Sequence, residues 1–526
     1  MPAIRREHIF LSIAFVVLTI STAVWTHENR IPPSWDPADH MRTAFDFYQP
    51  LSDGHFAAFF REVFHAHHAY GPLFHWIAAA AFLLGGFSSL TGIAANFLAL
   101  AVLLLSVNWI GDRLFSGSPD LRDSSLLLRP GAIAALLAAS YHFPGWLLHE
   151  AFLDYLLTAI VALTFALLIR AGEFHVRRDA IAFGTAAGLG LLAKQTFLFF
   201  FILPGMFLGA RALMRRDGKA IVNLAIAASV AVLIASVWYV PHLGDSIGIY
   251  KVNVMNAAVE HEAPAFSFRS VAYYWGALVG LQIQLLFGIL FVAGAAYSVL
   301  RRSQKDWMIY LWILSGILSF TLIANKDPRY TVPILPAVAL LSVSWLGHVR
   351  WSRRGLATIA ITVWAFLSFF NAQWPELLRM DFRSSVRGLP LYFFAGNVFR
   401  FDHRPMAEDW RIPEIVGSAS GKLGVVPNIW QLNPSNIALY ARVHAPQLRI
   451  LWLSDAGTGT RLEECDYVLA RRTHLDSAER AEAVEERVAS YLQVNADRYV
   501  PVATFSLPDN QEAVLYKRLR VEENGQ

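Results

Sequence analysis

Apolar runs of roughly 18–22 residues, each almost free of charge, recur along the first 373 positions of the chain. That is the length a helix needs to cross the hydrocarbon core of a bilayer. Only helices and closed barrels satisfy every backbone polar group there, and runs this continuous predict helices. The first run covers residues 9–26. A far more polar stretch follows over 27–75, HENRIPPSWDPADHMRTAFDFYQPLSDGHFAAFFREVFHAHHAYGPLFH, in which acids, histidines and aromatics crowd together. Its apolar residues recur periodically, which predicts an ordered loop on the membrane surface rather than a disordered one.

Basic residues orient the runs. Arg5 and Arg6 precede the first, which places the N-terminus in the cytoplasm and the 27–75 loop outside. Later clusters are Arg113 with Arg122 and Arg129, Arg170 to Arg178, Arg211 to Lys219, Arg301 to Lys305, and Arg350 to Arg354. Each reads as cytoplasmic by the same rule. Between clusters the chain leaves and returns, with outer turns near His149–Asp154, near Lys194, at 241–272 and at Asn325–Tyr330. Residues 72–88 and 92–110 are both apolar, yet the charge pattern leaves one crossing for them. The 92–110 segment is read as the span. The 72–88 segment, holding Pro72, His75, Gly85 and Gly86, is read as a re-entrant or interfacial helix. Two full spans with Arg113 outside would break the charge rule.

Beyond 373 the pattern changes to that of a soluble protein. Residues 374–399 read as a linker and 400–526 as a small α/β domain on the outer face. Short strands are expected at VGSASGKLGVVPN, LRILWLS and CDYVLARR, and alternating strands at VPVATFSL and EAVLYKRL. SAERAEAVEERVASYLQV reads as an amphipathic helix with Ser477 at its N-cap.

Composition agrees. The chain is 55% hydrophobic and only 16% charged, against about 25% charged for a soluble protein. The net charge of +4 is modest, and the basic residues lie in short clusters between spans, so they read as topology signals rather than a nucleic-acid surface. Cys465 is the only cysteine, which excludes an intramolecular disulfide. The apolar N-terminal run has no small-residue cleavage site, so it reads as a retained span.

The candidate chemistry sits at the outer turns. Asp36, in SWDPADH, suits a helix N-cap before Pro and equally a general base at the water–membrane boundary. Asp39 and His40 follow within a turn. Glu150 and Asp154, in WLLHEAFLDYLLTAI, share a helix face by their i, i+4 spacing. Carboxylates at such depth are costly without a partner, and a structural ion pair is the plain reading. Lys194, in GLGLLAKQTFLFFFILPG, could simply snorkel to the interface. Arg329, in ANKDPRYTVPILP, carries the planar fork suited to phosphate, or pairs with Asp327; Tyr330 is its neighbour. His65, His67 and His68, in HAHH, lack the i, i+4 helix pair of zinc motifs, and no metal site is expected. No P-loop or dinucleotide-binding glycine motif occurs.

Five stretches in order resemble the membrane glycosyltransferases of the protein O-mannosyltransferase and lipid A aminoarabinose transferase type, family 39-like members of the C-type glycosyltransferase fold. They are PPSWDPADH, AYGPLFHWIAAAAFLLGG, HEAFLDYLLTAIVALTFALLIR, GLGLLAKQTFLFFFILP and NKDPRYTVPILPAVALL, covering residues 30–345. The resemblance implies an α-helical polytopic membrane protein of about 11–13 transmembrane helices with the glycosyltransferase domain over 1–373. It implies a polyprenyl-phosphate sugar as donor, an acceptor that is protein, lipid or glycan, and transfer on the outer face of the cytoplasmic membrane. No cofactor is required; a divalent metal is compatible with the chemistry but not indicated. The family's catalytic acid maps onto Asp36, its second-loop aspartate onto Asp154, its hairpin lysine onto Lys194 and its late arginine onto Arg329. Where the family often has Asp-Glu, this chain has Asp36-Pro37, and Asp39 is the only nearby acid able to substitute. A transporter or flippase of lipid-linked substrates, a polysaccharide ligase or polymerase, and a non-catalytic scaffold are the rival readings.

Overall fold

A computed structural model describes residues 6–65, 70–115, 128–259, 262–301, 306–348, 351–378, 381–386, 389–396, 398, 404–453, 461–472 and 480–519. The chain opens with α1 (Arg6–Glu28), and the polar stretch after it folds into α2 (Trp35–Ser52), α3 (Phe56–His65) and α4 (Leu73–Gly85). Next come α5 (Ala94–Phe115), α6 (Pro130–Ser140) and the short α7 (His142–Leu147). The hairpin α8 (Leu153–Ala171) and α9 (Arg177–Ala193) follows, then α10 (Ile202–Met214), α11 (Gly218–Tyr239) and α12 (Leu243–Val259). The helical part closes with α13 (Phe268–Ala277), α14 (Gln284–Leu300), α15 (Trp307–Thr321), α16 (Leu335–Ser342) and α17 (Trp351–Gln373).

Among the described residues, six helical segments are long and apolar enough to cross a membrane: α1, α5, α8, α11, Pro328–His348 and most of α17. A seventh is reached if α13 and α14, bent by 116° at the break between them, count as one span. Four shorter apolar helices, α4, α6, α10 and α15, stand beside them. The hydropathy pattern reads three of these pieces, α6, α10 and α15, as spans and α4 as re-entrant or interfacial. Helix breaks are tolerated at membrane depth only where protein or a cavity satisfies the freed backbone. The segment read as re-entrant is such a case: α4 has 13 residues, about 20 Å of helix, too short for a crossing of about 30 Å.

The core of the helical part is α6, α8 and Pro328–His348, nearly all of whose side chains are buried. Helix α5 meets α6 where Gly111 faces Gly131; a Cβ on Gly111 would lie 2.4 Å from the Gly131 Cα. Small residues at such a crossing let two backbones approach, and dispersion then replaces the hydrophobic drive that lipid does not supply. The basic clusters gather at one end of the helices: Arg129 reaches Glu7 and Asp112, Arg170 pairs with Asp179, and Arg211 and Arg215 share Glu173. The opposite ends of α2, α8 and α9 carry Asp36, Asp154 and Lys194.

Residues 382–518 carry the strands. Within the stretch read as a linker, β1 (Phe382–Val386) and β2 (Leu389–Phe394) pair antiparallel, and Ala395 is tied to Gln284 by two hydrogen bonds. A five-stranded sheet follows: β3 (Lys422–Val425), β4 (Arg449–Trp452), β5 (Tyr467–Arg472), β6 (Tyr499–Ser506) and β7 (Glu512–Arg518), in the order β4-β3-β5-β7-β6. The first three strands run parallel and the β5-β7-β6 side antiparallel. All five coincide with the segments expected as strands, β3 to β5 with the short ones and β6 and β7 with the alternating ones. Helix α18 (Pro434–His444), which the sequence pattern did not single out, starts at Asn433 in a capping box with Asn436. The last helix is described from Arg480; the Ser477 cap lies outside the described residues.

Candidate active site

Helix α2 starts at Trp35, so Asp36 stands inside the first turn and Ser34 takes the N-cap place. The capping role open to Asp36 from sequence is therefore not the one it plays. Its Oδ2 accepts from the Arg329 Nη1 at 2.9 Å. Arg329 is fixed from the other side by Asp327, whose Oδ2 accepts from Nε at 2.8 Å and from Nη2 at 2.6 Å. Asp327 also caps the Pro328–Ile334 turn, accepting from the Arg329 backbone N–H at 2.7 Å. Gln282, at the break between α13 and α14, donates to the Pro328 carbonyl at 2.6 Å and to Thr331 at 2.9 Å. The guanidinium lies 4.3 Å from the centroid of the Phe152 ring. Its plane is thus held by a fork, a turn and an aromatic face at once.

A second ion pair lies deeper. Lys194 ends α9 in an extended conformation, and its Nζ donates to the Asp154 Oδ1 at 2.7 Å. Asp154 sits in the first turn of α8, where the helix dipole favours a carboxylate. The side chains of Asp154 and Lys194 are 2% and 10% exposed, against 51% for Asp36. Of these two aspartates, only Asp36 is open to a molecule arriving from water. Lys194 stands 5.4 Å from the Tyr330 ring centroid, and the Tyr330 hydroxyl donates to Asn325 at 3.1 Å. The loop before α4 reaches this pair because Gly71 lacks a side chain: a Cβ there would lie 2.2 Å from the Leu192 carbonyl oxygen, two residues before Lys194.

A cavity of about 330 Å³ opens beside the Asp36–Arg329 pair, lined by Glu150, Trp146 and Phe152 from the helical part together with Trp35 and Trp430. Glu150 also borders a smaller neighbouring space with His149 and Trp25. The backbone carbonyl of Glu150 accepts from Asn96 at 2.7 Å, which anchors its turn to α5. Aromatic walls with a few convergent charges are the usual make-up of a ligand site.

Asp36, Glu150, Asp154, Lys194, Arg329 and Tyr330 therefore come together as the alternation of clusters and turns predicts. Asp39 does not join them. Its carboxylate accepts from Ser435 at 3.0 Å and from Arg42 at 3.0 Å, on the face of α2 turned to the C-terminal sheet. Burial pushes its carboxyl above the usual carboxylate range, with Arg42 opposing.

Several residues of the site escaped the sequence reading. Asp327 entered only as a partner for Arg329. Tyr70 lies near Asp36 and Arg329, and burial holds its hydroxyl well above the ordinary tyrosine range, so it remains a donor. His40 and His75 share a hydrogen bond of 3.2 Å behind the site. Burial, with Lys194 and Arg329 nearby, pushes His40 down to about 3, so His40 is neutral at physiological pH. Phe152 and Trp430 carry no polar signal that sequence could flag. The side chains of the HAHH stretch lie outside the described residues. Among the described residues, no group of three His, Cys, Asp or Glu side chains is placed to hold a metal.

These features define the chain as a multi-pass membrane protein with the C-type glycosyltransferase fold, its charged site at the ends of broken helices. The likeness is to ArnT from Cupriavidus metallidurans. Its apo crystal structure superposes with a TM-score of 0.56 at 16% identity, covering 96% of this chain and 97% of that one. The structure of the same protein bound to undecaprenyl phosphate superposes with a TM-score of 0.55 at 16% identity, covering 98% and 99%. No protein-family model matches the chain, and no curated protein matches it.

Proposed function

We propose that the protein transfers a sugar from a polyprenyl-phosphate carrier to an acceptor hydroxyl on the outer face of the cytoplasmic membrane. The observation that carries this reading is the Asp36–Arg329 pair at the wall of an aromatic cavity, with the buried Lys194–Asp154 pair behind it. Two fixed cations beside a solvent-reachable carboxylate suit a phosphate leaving group and a base. The fold shared with ArnT, solved with undecaprenyl phosphate bound, supports the donor class.

In this scheme Asp36 takes the proton of the acceptor hydroxyl. The freed oxygen pair forms a bond to the anomeric carbon, and the bond from that carbon to the phosphate oxygen breaks with inversion. The electron pair leaves on polyprenyl phosphate, whose charge Lys194 and Arg329 stabilise through preorganised donors. Asp154 keeps Lys194 oriented, Tyr330 packs beneath it, and Glu150 faces the acceptor. The scheme needs no cofactor.

The test supplies membranes containing the protein with a labelled polyprenyl-phosphate sugar. Release of polyprenyl phosphate with label joined to a new acceptor is the expected result. Label that crosses the bilayer without changing its covalent partner would make the protein a flippase and overturn the reading. Orientation follows from the same scheme: protease added to spheroplasts should trim the C-terminal sheet domain, whereas trimming only in inside-out vesicles would put the site in the cytoplasm.

Arg329→Lys keeps the charge but loses the planar fork shared by Asp36 and Asp327. Titration with the lipid donor should show a raised apparent KM together with a lower rate. Unchanged values for both would remove Arg329 from the donor site.

A further inference from the structure

The polar stripe of α2 has a partner that the chemistry above does not use. Trp35, Asp39, Arg42 and Asp46 recur at helical spacing and so share one face. Three of them are bonded to the C-terminal domain. The Trp35 indole N–H donates to the Asn428 Oδ1 at 2.8 Å, Ser435 donates to Asp39 at 3.0 Å, and Arg442 donates to Asp46 at 2.6 Å. Just before α2, Asn29 and Arg30 bond the backbone of Met406, and Ile31 is buried in the apolar cluster of the C-terminal sheet. The docking extends to the end of the helix that carries Asp36. There Trp35, one residue before Asp36, holds a φ of 20°, at the edge of the left-handed region and sparsely populated for a side chain of this size. Such a conformation persists only where surroundings impose it. The loop after β3 that supplies Asn428 also supplies Trp430 to the cavity wall.

We infer that the C-terminal domain is part of the transfer site: Asn428 is a positioning residue that sets Asp36 through the Trp35 turn, and Trp430 closes the acceptor side of the cavity. This rests on the glycosyltransferase reading given above. Three consequences separate positioning from mere support of the fold. First, the domain should govern the chemical step and the acceptor, not the lipid donor, whose cations Lys194 and Arg329 stand on α9 and the Pro328–Ile334 turn and are each fixed there by an aspartate of the helical part, Asp154 and Asp327. Second, the effect at Asn428 should depend on an acceptor atom at that place and not on the side chain's bulk. Third, Trp35 and Asn428 should act as one unit, because each works only through the other.

The experiment measures transfer by the full-length protein with a labelled polyprenyl-phosphate sugar, for Asn428→Leu, Asn428→Asp, Trp35→Phe and the Trp35→Phe/Asn428→Leu double variant, each at matched membrane levels. Asn428→Leu and Trp35→Phe should lower kcat about tenfold, the loss for one hydrogen bond of roughly 1.4 kcal/mol, with donor KM unchanged. Asn428→Asp, which keeps the oxygen that accepts from the indole, should recover most of the rate. The double variant should be no slower than either single one. Trp430→Ala should raise the acceptor KM and leave the donor KM alone. If wild-type protein transfers sugar but Asn428→Leu matches it, or if Asn428→Asp is as slow as Asn428→Leu, the inference falls and the glycosyltransferase reading stands. If wild-type protein transfers nothing, the reading itself falls, and the inference with it.

Discussion

Asp36→Asn should reduce sugar transfer by at least about 100-fold, the lower end of what a positioned general base contributes, with unchanged protein in the membrane. The substitution is nearly isosteric. Its Oδ1 can still accept from the Arg329 Nη1, and Asp36 does not cap the helix, so the turn at Trp35 has no reason to move. What is lost is the ability to take a proton. Asp39→Asn is the control. Its carboxylate bonds Ser435 and Arg42, contacts that an amide oxygen partly keeps and that are partly exposed, so a few-fold change is expected. Transfer assays on both, with immunoblots for membrane level, decide the matter. An active Asp36→Asn with an inactive Asp39→Asn would move the base by one helical turn and overturn the assignment.

Lys194→Met should be damaging in two ways at once. It removes a cation from the phosphate, and it leaves the buried Asp154 carboxylate without its 2.7 Å partner. Breaking a buried ion pair from one side costs about 3–5 kcal/mol, so reduced membrane level or lowered thermal stability is expected alongside lost transfer. The double variant Asp154→Asn/Lys194→Met separates these effects. Removing both charges relieves the orphaned carboxylate, so stability in detergent should recover, while transfer should stay low because Arg329 alone is left to meet the leaving group. Recovery of transfer in the double variant would show that the pair is structural only. Thermal unfolding followed in parallel with donor turnover reads both arms.

The sequence made the charged site legible because membrane context restricts where ions can be. A carboxylate or lysine at an outer turn between apolar runs has few bland homes, so Asp36, Glu150, Asp154, Lys194 and Arg329 stood out, and the structure gathers all five. The aromatic half was illegible. Phe152, Trp146 and Trp430 are apolar residues among many, and only the fold shows which ones face a cavity. Asp39 misled for a related reason: one turn from Asp36, it has the same chemistry and the same local pattern. Which acid faces the cavity is settled by the contact with Ser435, a residue 396 positions away. Hydropathy also does not register a bend within an apolar run: at Gln282 the run continues in sequence, but the helix turns by 116°.

The partners of α2 come from far along the chain. Arg329 meets Asp36 across 293 positions and Asn428 meets Trp35 across 393. Chains are made from the N-terminus at about 5–20 residues per second, so on the order of twenty seconds or more pass between the synthesis of α2 and that of its last contact. During that interval the helical part can insert and pack, yet Asp36 lacks the arginine that holds it and the domain that docks beside it. On the proposed mechanism, a prematurely terminated product would have a membrane fold without its site, and translation of the final domain would complete it.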